Sequence, residues 1–423
     1  MKVVEIATND VRGGAARSAY RLHVGLRTAG IDATMLVRWK HSSDDSVVVP
    51  SEPWHDAEYV ERERAMRQRW VRDNRSDVTD TLFSLGSPSA TIAAHPLLRD
   101  ADLIHLHWVA NFLGPTTFAG LARLGKPIVW TQHDEWGYTG GCHYRAGCEH
   151  HRDRCASCPQ LREDPLGLVP ALFDERCAAW SSANLTVVGP SAWITARAGE
   201  SAILGRHPRR TIPYGLDTTK FRPASPHERA AFRDQHDIAD DAVVIAFGVD
   251  RLGERRKGYE HLADALELIA RRVPNAVILR FGDATGSRTP TLPTVDLGVI
   301  DNDARLAIAY GSADCFVLPT LEDNLPNGVL ESMACGTPVI AYATGGVPEM
   351  IEDGRTGFLV PTGDIALLAE TIVAATSDMK HLHSLGIAAR TQIESEHTLE
   401  RQASRYVGLY AGLLTRRTSE IAA

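Results

Sequence analysis

Residues 315–348 read CFVLPTLEDNLPNGVLESMACGTPVIAYATGGVP, and the punctuation of this stretch decides the fold. CFVLP is a short apolar run with β-formers, as a buried parallel strand requires. Pro326 suits the first position of a helix, and Gly336 followed by Pro338 supplies its cap and stop. TPVIAYA is then the next buried strand, and GGVP opens a second tight turn. Asp323 stands in the loop and Glu331 in the new helix. A helix N-terminus holds phosphate through its free N–H groups and dipole, while a neighbouring carboxylate accepts hydrogen bonds from ribose hydroxyls. Taken alone, the stretch is equally an ordinary βαβ crossover whose acids are solvated.

A chain of 423 residues exceeds one ordinary core, so two domains are expected. Its hydrophobic share of 44% and charged share of 23% are those of a soluble globular protein. The net charge of −8, with no long block of one sign, argues against a nucleic-acid partner. The opening MKVVEIATNDVRGG turns polar after a few apolar residues and reads as a strand, not a signal peptide. No apolar run approaches the ~18 residues a membrane helix needs. The expectation is a cytoplasmic protein with no membrane span.

Working outward, VVEIAT (2–7) is a strand, NDVRGG a loop, and the following segment carries helical spacing at Ala15, Ala19, Leu22 and Leu26. Strand, Gly-rich loop and helix together mark a doubly wound α/β sheet. Gly13 and Gly14 let the backbone approach a ligand above the sheet, or simply form a tight turn. Residues 55–75 predict a charged helix whose arginines are interleaved with acids, hence a solvated face. A peripheral seat at the inner membrane surface is the alternative. The strands at 100–108 and 125–136 place His105, His107 and His133 at or near strand ends, where α/β folds put their sites. His133 is the candidate, because Asp134 beside it can orient an imidazole. Cys142, Cys148, Cys155 and Cys158 then fall within seventeen residues. In a reducing compartment such density points to structural Zn²⁺ held by four thiolates. Two disulfides are the alternative, and His143, His150 or His151 could replace one thiolate. Ser191 is placed as a helix N-cap.

Four prolines between Pro208 and Pro226 mark a domain boundary. The α/β rhythm then restarts with VVIAFGV (243–249) and AVILRFG (276–282), and it closes with an amphipathic helix over 396–414. In the loop after the first of these strands, Arg251 and Lys257 stand six apart, a spacing that suits a diphosphate at a strand's carboxyl end. Arg255 and Arg256 beside them allow the plainer reading of a solvated basic loop.

Together these pieces resemble the retaining family-4 glycosyltransferases of the GT-B fold. The residues that carry the resemblance are GGA near the start, IPYGLD at the boundary, G-x-D-R-L…K-G, the acid–seven–acid pair followed by MACGTPVIA, and TGGVPEMIEDGRTGFLV. LIHLHW, QHDEW, TGGCHY and CASCPQL resemble a polysaccharide and lipopolysaccharide subgroup with a cysteine-rich insert in the N-terminal domain.

The resemblance implies two Rossmann-like domains facing across a cleft. The first is an acceptor-binding domain over 1–213, rejoined by a crossing helix over 400–418, and the second a donor-binding domain over 214–399. It implies transfer of a hexose from a nucleotide diphosphate sugar, with a uridine diphosphate sugar the expected donor, to a saccharide-type hydroxyl. His133, Asp323, Arg251 and Lys257 take the catalytic positions. Arg251 and Lys257 match the diphosphate pair, Asn327, Gly328 and Val329 the phosphate-binding helix start, and Glu331 the ribose ligand. Gly13 and Gly14 match the glycines near the leaving phosphate, and His133 a histidine near the donor sugar. Asp323 stands where the family carries Glu, one methylene longer. Two cations and a dipole aimed at the diphosphate imply catalysis without a metal or other cofactor. The alternative is a degenerate GT-B protein that binds nucleotide sugar or scaffolds a complex without transferring.

Overall fold

A computed structural model of the chain describes residues 1–51, 57–87 and 91–421. Two compact units emerge, Met1–Gly215 with Glu400–Ala423, and Leu216–Leu399. Each is built on one parallel sheet with helical crossovers.

In the first unit the strands are β1 (Lys2–Asn9), β2 (Asp32–Trp39), β3 (Val47–Val48), β4 (Leu103–Leu106), β5 (Ile128–Thr131), β6 (Leu185–Gly189) and β7 (Arg209–Thr211). Among the described residues they pair in the order β3-β2-β1-β4-β5-β6-β7, all parallel. Helices cover both faces of such a sheet, which is why β4, β5 and β6 are buried throughout. Phe118, Trp130 and Trp180 interlock on one face with ring centroids 4.9–5.4 Å apart. The other face is closed by the last helix, Leu399–Ile421, whose Tyr406 and Tyr410 pack with Val3, Leu22, Leu26 and Val129. Both hydroxyls are partnered, Tyr406 with Thr131 Oγ1 (2.8 Å) and Tyr410 with His105 Nδ1 (2.7 Å). The charged helix runs over Ala57–Asn74 with ion pairs such as Glu61 with Arg64; residues 55 and 56 of its expected span lie outside the described residues.

The second unit comprises β8 (Val243–Arg251), β9 (Ala276–Asp283), β10 (Thr294–Asp296), β11 (Cys315–Leu318), β12 (Val339–Tyr342) and β13 (Gly357–Val360). The order among the described residues is β10-β9-β8-β11-β12-β13, again parallel. The helix after β11 spans Asn327–Ala334, with Pro326 as its N-cap, one place earlier than its fixed φ suggested. Gly336 ends it in the left-handed conformation, φ 74°, and Thr337 N–H reaches back to Ser332 O at 3.0 Å.

In both sheets the chain reverses its winding once, between β1 and β4 in the first and between β8 and β11 in the second. The loops leaving those strands diverge to opposite faces and open a crevice at the carboxyl ends. Every candidate outside the cysteine-rich segment lies near such an edge.

Tyr410→Phe removes the hydroxyl that meets buried His105, leaving its Nδ1 without that partner. Urea denaturation should show a loss of about 1–3 kcal/mol; an unchanged midpoint would contradict this account of how the last helix is held.

Candidate active site

In the second unit three loops converge at the carboxyl ends of the adjacent strands β8, β11 and β12. Gly258, at φ 72°, lies so close to the loop after β11 that a Cβ would stand 1.8 Å from Pro319 O, so only glycine fits. Arg256 does most of the stitching. Its carbonyl accepts from Leu321 N–H (2.8 Å), its Nη1 donates to Glu322 O (2.8 Å) and lies 3.2 Å from Asp323 Oδ2, and its Nε donates to Glu254 (3.0 Å). The loop after β12 joins through Thr344 Oγ1 to Leu321 O (3.0 Å) and Gly346 N–H to Asp323 O (3.3 Å).

Lys257 Nζ donates to Asp323 Oδ2 at 2.7 Å, and Asn324 N–H donates to Oδ1 at 3.0 Å. Burial would raise the Asp323 carboxyl, but Lys257 and Arg256 overcome it and hold the group at about 2. The residue expected against a sugar is thus the counter-ion of the phosphate-type lysine. Arg256, dismissed in the sequence as part of a solvated loop, is the second member of that cluster and is largely buried. Arg251 ends β8, exposed, near Asp283, whose carboxyl is held down by hydrogen bonds from Thr285 and by the Arg251 charge. Glu331 is buried in the second turn of helix Asn327–Ala334, where Tyr310 Oη donates to its Oε2 (3.3 Å). That helix has no side-chain cap and no acid in its first turn, so the N–H groups at Asn327, Gly328 and Val329 carry its positive end. A Cβ on Gly328 would meet Tyr310 Oη at 3.1 Å.

In the first unit Gly13 is the N-cap and Gly14 the first residue of helix Gly14–Thr28, both exposed, again with neither side-chain cap nor acid in the first turn. His133 follows β5. Its Nε2 meets His107 Nδ1 at 3.2 Å and its Nδ1 meets Tyr214 Oη at 2.7 Å. Asp134 does not orient it; that carboxylate takes His143 Nδ1 (2.6 Å), Trp108 Nε1 (2.6 Å) and Trp136 N–H (2.9 Å). Burial and the neighbouring His107 push His133 down to about 3, so it is neutral near pH 7.

The expected zinc site on Cys142, Cys148, Cys155 and Cys158 finds no support in the arrangement of ligand atoms. Among the described residues, the sets that bring three ligand atoms within 4.8 Å of one another are Glu5–His105–His107 and Glu149–His151–Glu200, not Cys142, Cys148, Cys155 and Cys158. All seven cysteines are free, which also sets aside the disulfide alternative. Burial raises the Cys142 thiol well above its usual value and Cys155 to about 12. The segment is held instead by buried charge. Arg145 Nε donates to Glu135 Oε1 (2.7 Å), Tyr138 Oη donates to the same carboxylate (3.0 Å), and Arg176 Nη1 donates to Trp136 O and Thr139 O (both 2.6 Å). Cysteine spacing gave no hint of these ties, of which only Arg176 comes from a later helix. The Glu5 set is equally committed to hydrogen bonds: His105 already spends Nε2 on Thr131 and Nδ1 on Tyr410.

Residues 242–378 match the family model for group 1 glycosyl transferases. A GDP-mannose-dependent alpha-(1-6)-phosphatidylinositol monomannoside mannosyltransferase of Mycolicibacterium smegmatis is 30% identical over 194 residues, 42% of this chain and 50% of that protein. The chain spans about half the length of the curated relatives it matches. Sucrose-phosphate synthase of Thermosynechococcus elongatus superposes with TM-score 0.69 at 20% identity, covering 98% of this chain and all of that one. HepE of Anabaena, solved with UDP-glucose, gives TM-score 0.64 at 16% identity over 97% of this chain and all of its own. Residues 242–378 are therefore similar to the group 1 glycosyl transferases, and the chain shares the fold of these two solved structures.

Proposed function

We propose that the protein is a retaining glycosyltransferase whose second unit binds a nucleotide diphosphate sugar and whose first unit binds the acceptor. The observation that carries the reading is the Lys257–Asp323–Arg256 cluster in the loops that precede helix Asn327–Ala334. A cation locked in place by a buried carboxylate costs little reorganisation when a diphosphate arrives. Lys257, the helix start and Arg251 from the end of β8 then stabilise charge on the departing diphosphate, and Glu331 takes the ribose hydroxyls.

Asp323 serves this chemistry as the holder of Lys257. Its two oxygens are engaged by cations and a backbone N–H, which makes it a poor nucleophile toward a sugar carbon. Without a carboxylate nucleophile, retention of configuration follows a front-face route in which the leaving phosphate takes the acceptor's proton. Two protein cations and a helix dipole supply the charge compensation, so catalysis proceeds without a metal. The M. smegmatis relative is named for GDP-mannose and HepE was solved with UDP-glucose; a uridine diphosphate sugar is our expected donor, and the guanosine series is the control.

A thermal-shift panel of uridine, guanosine, adenosine and thymidine diphosphate sugars should return one stabilising series, and mass spectrometry should then find its sugar on a saccharide-type acceptor. Silence across the panel would count against the whole reading, and binding without transfer to any acceptor would favour a donor-binding protein. Lys257→Ala and Glu331→Ala should each weaken donor binding by about 1.5–3 kcal/mol by calorimetry.

Asp323 also leaves a mark on acid stability. Its folded value of about 2 lies below the ordinary 3.8, so its contribution is complete above pH 3.8 and lost as the pH falls toward 2. That contribution is on the order of 2 kcal/mol. Asp323→Asn should flatten the stability profile in that window, and an unaltered acid limb would show that the carboxylate is not paired in this way.

A further inference from the structure

Beneath the carboxyl edge of the first unit's sheet runs a line of polar side chains that the proposed reaction does not use. Tyr214 Oη meets His133 Nδ1 (2.7 Å), His133 Nε2 meets His107 Nδ1 (3.2 Å), and His107 Nε2 meets Glu5 Oε1 (3.3 Å). Glu5 Oε2 continues to His23 Nδ1 (2.5 Å), His23 Nε2 to Ser46 Oγ (2.8 Å), and Ser46 to Asp44 Oδ1 (2.6 Å). Glu5 and His23 are fully buried and His107 is 1% exposed, so each proton here must have a defined place.

Those places follow from the ends of the line. A carboxylate only accepts, so His107 Nε2 and His23 Nδ1 both carry hydrogens toward Glu5. Ser46 has one hydrogen and gives it to Asp44, so His23 Nε2 donates to Ser46. His23 therefore donates from both nitrogens, toward Glu5 on one side and toward Ser46 and Asp44 on the other. A second proton on His107 would set a second imidazolium against the one carboxylate of Glu5 in a fully buried place, which is costly. His107 Nδ1 is then a bare acceptor and receives the hydrogen of His133 Nε2. The neighbouring His105 ring, 4.0 Å away, brings no competing donor, because its nitrogens are spent on Thr131 and Tyr410.

We propose that Glu5 and His107 are positioning residues that lock His133 as its Nε2–H tautomer and so make its Nδ1 an obligatory acceptor of hydroxyl hydrogen bonds. In the structure Tyr214 makes that bond. Resting on the transferase reading, a sugar hydroxyl would donate to the same atom, which rejects groups that can only accept there.

Long-range ¹⁵N–¹H correlation of the histidine-labelled full chain at pH 7 reads the tautomers directly. His133 and His107 should both show protonated Nε2 and bare Nδ1. Tyr214→Phe should leave that pattern unchanged, whereas Glu5→Gln should mix the tautomers of His133 while donor-induced stabilisation of the second unit persists. In the same Glu5→Gln protein, kcat/KM for the acceptor should fall roughly ten- to a hundred-fold, the scale of a lost charge-assisted hydrogen bond. A wild-type His133 protonated at Nδ1, a tautomer flip in Tyr214→Phe, or a folded Glu5→Gln with unmixed tautomers would each overturn the proposal. The Tyr214→Phe arm holds even if Glu5→Gln does not fold. Because the tautomer is read without substrate, failure of the transferase reading would show in the donor panel and leave this result standing.

Discussion

A parallel sheet is covered by helices on both faces, and only its carboxyl ends remain open for chemistry. Everything distinctive about this chain follows from that constraint, applied twice. In each unit the winding reverses once, beside β1 in the first sheet and beside β8 in the second, and the loops that part there carry the polar residues. The apolar strands beneath are rigid because they are buried throughout, so the loop residues are held to a fixed frame.

Within that frame the two units use charge differently. The second gathers like charges, Arg256 and Lys257, and tolerates them because Asp323 stands between them. A diphosphate would replace part of what Asp323 provides, which is why such a cluster suits a ligand that comes and goes. The first unit sets Glu5 between His23 and His107, and a line of hydrogen bonds runs on from His107 to His133.

In the cysteine-rich segment the ties that the structure shows are not made by sulfur. Four cysteines in seventeen residues are close in sequence, yet a metal needs convergence within a few ångströms, and backbone turns set that. Here Glu135, Arg145 and Arg176 supply the internal ties instead. The same limit explains Asp134, which a neighbour-in-sequence argument gave to His133 and the fold gives to His143.

What the sequence by itself determined is the part governed by local periodicity and punctuation. The stretch 315–348 specified strand, helix, glycine stop and strand, and the repetition of that rhythm specified two doubly wound sheets. The placement of Lys257, Asp323 and Glu331 after strands β8 and β11 was legible because loop and helix start follow a strand's carboxyl end whatever the rest does. Tertiary structure alone decided the partners. Asp323 meets Lys257 across 66 residues of chain, His107 meets Glu5 across 102, and Tyr410 meets His105 across 305. No pattern along the chain encodes those distances, because they arise when separate crossovers deliver their strands side by side and bury polar groups that must then find one another.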